Sequence, residues 1–131
     1  MARPPPADTP TRRRKQAAHA RGVTAETRAA ARLEADGFTI LERRLRTPAG
    51  ELDLVARKGD LLVFCEVKLR GDLAQAAESL QRRQRRRIAA AAEAYLAERP
   101  ELASLNMRFD AILLAPNGAC LHLEAAFELE G

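Results

Sequence analysis

The sequence predicts one α/β domain in which a central mixed β-sheet is flanked by helices, with element order αβββαββ. Three observations predict it. Two segments, residues 25–36 and 74–97, repeat small apolar residues at helical spacing. Apolar runs between and after them are divided by glycine-containing turns, the signature of strands and hairpins. The length of 131 residues, 47% of them hydrophobic, suits one domain with one core. Aromatic residues make up only 4%, so that core must come from Leu, Ile, Val and Ala.

Residues 1–20 hold four of the seven prolines and the run Arg12-Arg13-Arg14-Lys15, with almost nothing to bury. They read as a disordered basic tail preceding a domain at 21–131. Thr24 is a plausible N-cap for a helix from Ala25 to Asp36, and Gly37 is its stop. The inward stripe is Glu26, Ala29, Ala30 and Leu33, so a carboxylate opens an apolar face. A glutamate in a first turn also simply favours the helix dipole.

Phe38–Glu42 reads as a strand, followed by a basic segment with Arg43, Arg44 and Arg46 and a turn at Pro48-Ala49-Gly50. Glu51–Arg57 alternates, with Leu52, Leu54 and Ala56 expected on one face. Lys58-Gly59-Asp60 is a tight turn, and Leu61–Lys68 is a very apolar strand. Two strands around a short glycine turn make an antiparallel hairpin. Leu61–Cys65 is apolar on both faces, which implies a central, covered strand.

One long helix is expected from Leu73 or Ala74 to Ala97, ending before Pro100. Its stripe is Ala76, Ala77, Leu80, Ile88, Ala91, Ala92, Tyr95 and Leu96. Gln84 falls within that stripe, surrounded by Arg82, Arg83, Arg85, Arg86 and Arg87. Met107–Ala115 and Ala119–Ala125 are strands joined by a turn at Pro116-Asn117-Gly118.

Lys and Arg number 22 against 18 Asp and Glu, a net charge of +4. The arginines cluster, as phosphate-backbone binders do, although composition alone fits a merely solubilising surface equally well. Cys65 and Cys120 sit in apolar strands without a CxxC pair and read as small buried hydrophobes in a reducing compartment. No apolar run has transmembrane length and no signal-peptide core is present. Pro4–Pro6 would break the amphipathic helix of a transit peptide, so the cytoplasm is the expected location.

The hairpin carries the chemistry. Glu66 and Lys68 share one strand face, as do Glu51 and Asp53. A two-residue turn at Gly59-Asp60 sets Asp53 directly opposite Glu66, with Cβ atoms roughly 4.5–5.5 Å apart. A turn at Lys58-Gly59 would oppose Asp53 to Phe64 instead. Facing carboxylates repel; Lys68 relieves part of this and a divalent cation more. Carboxylates with backbone and water oxygens suit Mg²⁺ or Mn²⁺, which polarise a phosphate oxygen and acidify water. A solvated face of cross-strand ion pairs explains the same four residues, and the hairpin alone favours that explanation.

Gly50-Glu51-Leu52-Asp53-Leu54-Val55-Ala56 and Phe64-Cys65-Glu66-Val67-Lys68-Leu69-Arg70 together resemble the PD-(D/E)xK restriction-endonuclease-like superfamily. More closely, the chain resembles the small bacterial UPF0102, or YraN-like, family, itself similar to archaeal Holliday-junction resolvases. The resemblance spans Arg21 to Phe127 and includes Glu26, Gly37-Phe38, Ala94-Tyr95-Leu96 and Arg108-Phe109-Asp110. It implies a restriction-endonuclease-like fold with a three- to five-stranded mixed sheet. Asp53, Glu66 and the Val67 carbonyl would be metal ligands, Glu26 would be directed toward the metal, and Lys68 would be the catalytic lysine. Glu51 is a further motif member. Gln84 stands where family members often carry Lys; it can hydrogen-bond a phosphate or water, or be a buried polar residue satisfied by backbone.

The expected function is a Mg²⁺- or Mn²⁺-dependent DNA endonuclease acting on branched or repair intermediates. The alternative is a nucleic-acid-binding module that keeps the fold without activity. Arg43, Arg44, Arg46, Arg70 and Arg82, Arg83, Arg85, Arg86, Arg87 are the expected backbone contacts. With a single Tyr and no Trp, stacking on single strands is poorly supported. Resolvases of similar fold act as dimers, because a junction offers two strands to cut, so a homodimer is an expectation from analogy.

Overall fold

The computed structural model describes residues 25–79 and 82–127, with residues 82–84 and 127 described by backbone alone. Helix α1 covers residues 25–35. It is followed by β1 (Thr39–Thr47), β2 (Gly50–Lys58) and β3 (Leu61–Leu69), then helices α2 (Leu73–Glu78) and α3 (Arg82–Glu98). A 3₁₀ turn (Pro100–Leu102) leads into β4 (Asn106–Leu114) and β5 (Cys120–Phe127). The proposed N-cap Thr24 and the expected disordered tail lie outside the described residues.

The five strands form one sheet in the order β1-β2-β3-β4-β5. The β3–β4 pair is parallel and the other three pairs are antiparallel, so the sheet is mixed. β3 is the central strand, and Leu62, Val63 and Phe64 are fully buried. A strand covered on both faces needs apolar side chains at every position, which is why alternation fails there. The parallel β3–β4 step requires a crossover, and α2 and α3 provide it.

Each sheet face has its own core. On one face Ala25, Ala29, Ala30 and Leu33 of α1 pack with Leu54, Ala56, Val63, Cys65, Ile112 and Leu114. On the other, Ile88, Ala91, Ala92 and Tyr95 of α3 pack with Val55, Leu62, Phe64 and Phe109. Phe64 is its aromatic centre, stacked on Phe109 with centroids 5.4 Å apart and edge-on to Tyr95 at 6.3 Å. α1 ends as expected at Gly37, whose φ is +94°, with the Phe38 N–H donating to the Leu33 carbonyl at 3.0 Å.

Three expectations are corrected. The basic segment 43–46 is strand: β1 continues to Thr47 because Thr47 and Gly50 pair around a tight turn. The Thr47 hydroxyl binds the Gly50 carbonyl at 2.7 Å there. The long helix is two helices. Asp72 caps α2 by accepting from the Gln75 N–H at 2.8 Å, and Ser79 stops it by donating to the Ala76 carbonyl at 2.6 Å. α2 lays Ala76 on Ala111 and Leu113 while α3 lies over β2, so one straight axis cannot serve both; Ala77 is exposed. Finally, Leu52 does not share a face with Leu54 and Ala56. It joins the α3-side core, beyond the end of the β2–β3 ladder at Leu54.

Candidate metal centre

The Gly59-Asp60 turn decides the central geometry. Lys58 pairs with Leu61, and the register runs through Val55–Phe64 to Leu54–Cys65. One step further, Asp53 faces Glu66. Ladder pairing stops at Leu54, and the Asp53 carboxylate accepts the Val67 N–H at 2.8 Å instead. The strands therefore part where the carboxylates begin, and a side chain replaces a ladder carbonyl.

Glu26 reaches this point from the first turn of α1, with its side chain only 12% exposed. Glu26, Glu51 and Asp53 each bring a carboxylate oxygen within 4.8 Å of the others. Glu66 and Lys68 are both buried on β3, and the Lys68 Nζ lies 3.0 Å from a Glu66 oxygen. Burial pushes the Asp53 carboxyl up to about 8, with the nearby Glu66 carboxylate adding to it and the Val67 N–H opposing. Burial likewise raises Glu26, only partly offset by Arg44.

The expected residues are not all equally placed. Asp53, Glu26, Glu66, Lys68 and Val67 converge, and the three carboxylates with oxygens within 4.8 Å of one another include Glu51 rather than Glu66. Val67 meets Asp53 through its N–H. The sequence signal for Glu51 was the strand alternation that aligns it with Asp53. Gln84 lies on α3, with its side chain outside the described residues, as do those of Arg82 and Arg83.

Among the other expected arginines, Arg44 lies 3.6 Å from Glu26 and 3.7 Å from Glu51, and Arg43 lies 3.7 Å from Glu34. Arg46, Arg70, Arg85, Arg86 and Arg87 are exposed. Gly50 brings α3 close to the site: a Cβ built there would sit 3.7 Å from the Arg87 carbonyl oxygen. The arginine-rich start of α3 thus abuts the strand that carries Glu51 and Asp53.

A second buried carboxylate was not read as a site from sequence beyond its place in Arg108-Phe109-Asp110. Asp110 is fully buried on β4. Arg108 binds both its oxygens at 2.8 Å, the His122 Nε2 lies at 2.7 Å and the Ala125 N–H donates at 2.9 Å. Burial acts to raise its pKa, but the bonds from Arg108, Ala125 and His122 outweigh it and hold the carboxyl below its usual value. The clamp sits where β4–β5 pairing shifts after Phe109, and Ala125 has φ of +51°. Both cysteines are free, Cys65 buried and Cys120 partly so.

Fold and site together define a mixed-sheet α/β domain with a group of three carboxylates between its first helix and central hairpin. Residues 25–114 match the model of the family described as "Uncharacterised protein family UPF0102". The chain is 76% identical over 131 residues to a UPF0102 protein of Azorhizobium caulinodans, covering all of both chains. It is 48% identical over 128 residues to a UPF0102 protein of Rhodopseudomonas palustris strain BisB5, covering 98% of each. With a UPF0102 protein of Bradyrhizobium sp. strain BTAi1 the identity is 52% over 112 residues, 86% of this chain and 82% of that one. This chain belongs to the UPF0102 family. Among the described residues, no helix is long and apolar enough to cross a membrane.

Proposed function

We propose that this UPF0102 chain is a Mg²⁺- or Mn²⁺-dependent DNA endonuclease of the PD-(D/E)xK type, acting in the cytoplasm on branched or repair intermediates. The observation that carries the reading is the convergence of Glu26, Glu51 and Asp53 oxygens within 4.8 Å, beside the buried Glu66–Lys68 pair. The donor set fits a hard divalent cation: all carboxylate oxygens, on rigid elements, with Asp53 poorly compensated. Asp53, Glu26 and Glu51 would hold the cation, with Glu66 and the Val67 carbonyl as the neighbouring oxygens. Bound there, it would polarise a phosphate oxygen and lower the pKa of an attacking water.

The protein's own groups do the rest. The Lys68 ammonium, fixed by Glu66, offers donors to negative charge developing on the phosphoryl oxygens. Val67 holds the Asp53 carboxylate in place. The exposed arginines at 46, 70 and 85–87 supply sequence-independent attraction for a phosphate backbone. A homodimer would present two such sites to a four-way junction.

The non-catalytic, nucleic-acid-binding reading has one observation in its favour: internal cations already meet the acidic groups, Lys68 at Glu66 and Arg44 at Glu26 and Glu51. One experiment separates the two. Purified protein is titrated with Mg²⁺ and Mn²⁺ against duplex, single-stranded and four-way-junction DNA. Metal-dependent cleavage supports the endonuclease; salt-sensitive binding without cleavage under any metal supports the module.

A further inference from the structure

Arg44 differs from the other described arginines in its placement. Its guanidinium spans two carboxylates of the metal-centre group, Glu26 at 3.6 Å and Glu51 at 3.7 Å. In the β1–β2 register it stands between Arg43, opposite Leu54, and Leu45, opposite Leu52, and therefore faces Asp53. Its backbone is left-handed, with φ of +48°, a conformation that costs an L-residue with a long side chain of order 1 kcal/mol. The strain thus falls on the residue that brings positive charge to the acidic group.

We propose that Arg44 is an internal counter-cation that occupies the carboxylate group until a divalent cation displaces it, and so sets the cation affinity of the site. This rests on the metal-centre reading above. Two features make the arrangement displaceable. Both contacts are longer than a good charge-assisted hydrogen bond. The Arg44 side chain is also 36% exposed, so it can move into water without breaking a packed core. Arg108 on Asp110 is the contrasting case, bidentate at 2.8 Å against a carboxylate with no exposure. Among the described residues, Lys68 lies on Glu66 and Arg43 on Glu34, so neither spans Glu26 and Glu51 as Arg44 does. Once displaced, Arg44 would leave the carboxylates with its charge available to a phosphate, which couples cation binding to nucleic-acid binding.

The test is calorimetric titration of Mn²⁺ into the full chain at low ionic strength, without DNA, for wild type, Arg44→Asn and Arg44→Lys. Asn tolerates positive φ, so the neutral variant keeps the local backbone; Arg44→Gly, which suits it too, serves if the Asn protein fails to fold. Removing two surface ion pairs that compete with the cation should tighten Mn²⁺ binding about 3- to 10-fold in the neutral variant, while the Lys variant stays near wild type. Binding only by the neutral variant would support the proposal in its strongest form. It is overturned if the neutral variant binds no tighter than wild type, or if the Lys variant tightens equally. If wild type and all variants fail to bind Mn²⁺, the metal-centre reading falls as well, an outcome distinct from equal binding by all.

Discussion

Two aspartates on the strands that flank β3, Asp53 on β2 and Asp110 on β4, experience opposite environments. Asp110 is the more deeply buried, yet its pKa is lowered, because two Arg108 bonds, one from Ala125 and the His122 contact outweigh desolvation. Burial raises the Asp53 pKa to about 8, with Glu66 and Glu26 adding to it and a single N–H, from Val67, opposing. Burial therefore does not separate them; donor supply does. A buried carboxylate saturated with protein donors has no capacity for a ligand, and it pins the β4–β5 irregularity. One short of donors and surrounded by its own charge type is destabilising unless a cation joins it, as functional sites are.

The comparison breaks if the two aspartates answer alike when changed. The largest expected effect concerns chemistry. Asp53→Asn, Glu66→Gln and Lys68→Ala should each lower metal-dependent cleavage by at least ~10²-fold, the scale for losing a pre-organised charge at the reacting phosphate. Initial rates on the best DNA substrate check this, with circular dichroism showing that each variant is folded. Equal cleavage by all three would move the site elsewhere.

Next comes stability at the other aspartate. Asp110→Ala strands Arg108 and frees the β5 irregularity, costing about 3 kcal/mol, roughly 10–20 °C in melting temperature. The pH dependence carries the same sign. A lowered carboxyl stabilises the fold above the ordinary aspartate range, and that contribution disappears as pH falls through the folded value. Wild type should therefore lose stability below about pH 4, and Asp110→Asn should lose less over that interval. Thermal melts from pH 7 to pH 2.5 decide it.

Asp53 should show the reverse. Its raised pKa means that the contribution of Asp53 to the stability of the metal-free protein is fully present below the unfolded carboxylate value and is lost as pH rises toward 8. Asp53→Asn should then stabilise the EDTA-treated protein at pH 7 by ~1 kcal/mol, with the gain vanishing near pH 4. Destabilisation at pH 7 would place Asp53 with Asp110 as a structural residue. The smallest effect is expected for His122→Gln, about 1 kcal/mol by melting, because Asp110 keeps its other donors.

Most of the fold was legible because its signals are local. Leu61–Cys65, apolar on both faces, could only be a covered central strand, and the Gly59-Asp60 turn alone sets the register that opposes Asp53 to Glu66. Glu26, one helix-stripe step ahead of Ala29 and two ahead of Leu33, was readable as a carboxylate aimed inward. What sequence could not decide were the non-local and charge-balancing features. The break at Ser79 depends on α2 and α3 resting on different strands. The exchange of faces between Leu52 and Leu54 falls where β2 leaves its ladder with β3, which depends on contacts between strands rather than on the alternation of residues along one.

By itself, then, the sequence determined which carboxylates lie on which strands, since side-chain alternation and turn length are short-range geometry. Tertiary structure alone decided how those charges are balanced. It placed Arg44 between Glu26 and Glu51, brought Glu51 within 4.8 Å of both Glu26 and Asp53, and gave Asp110 its full set of donors. Charge compensation depends on distances across three elements and on burial, and neither is encoded in the spacing of residues along one chain.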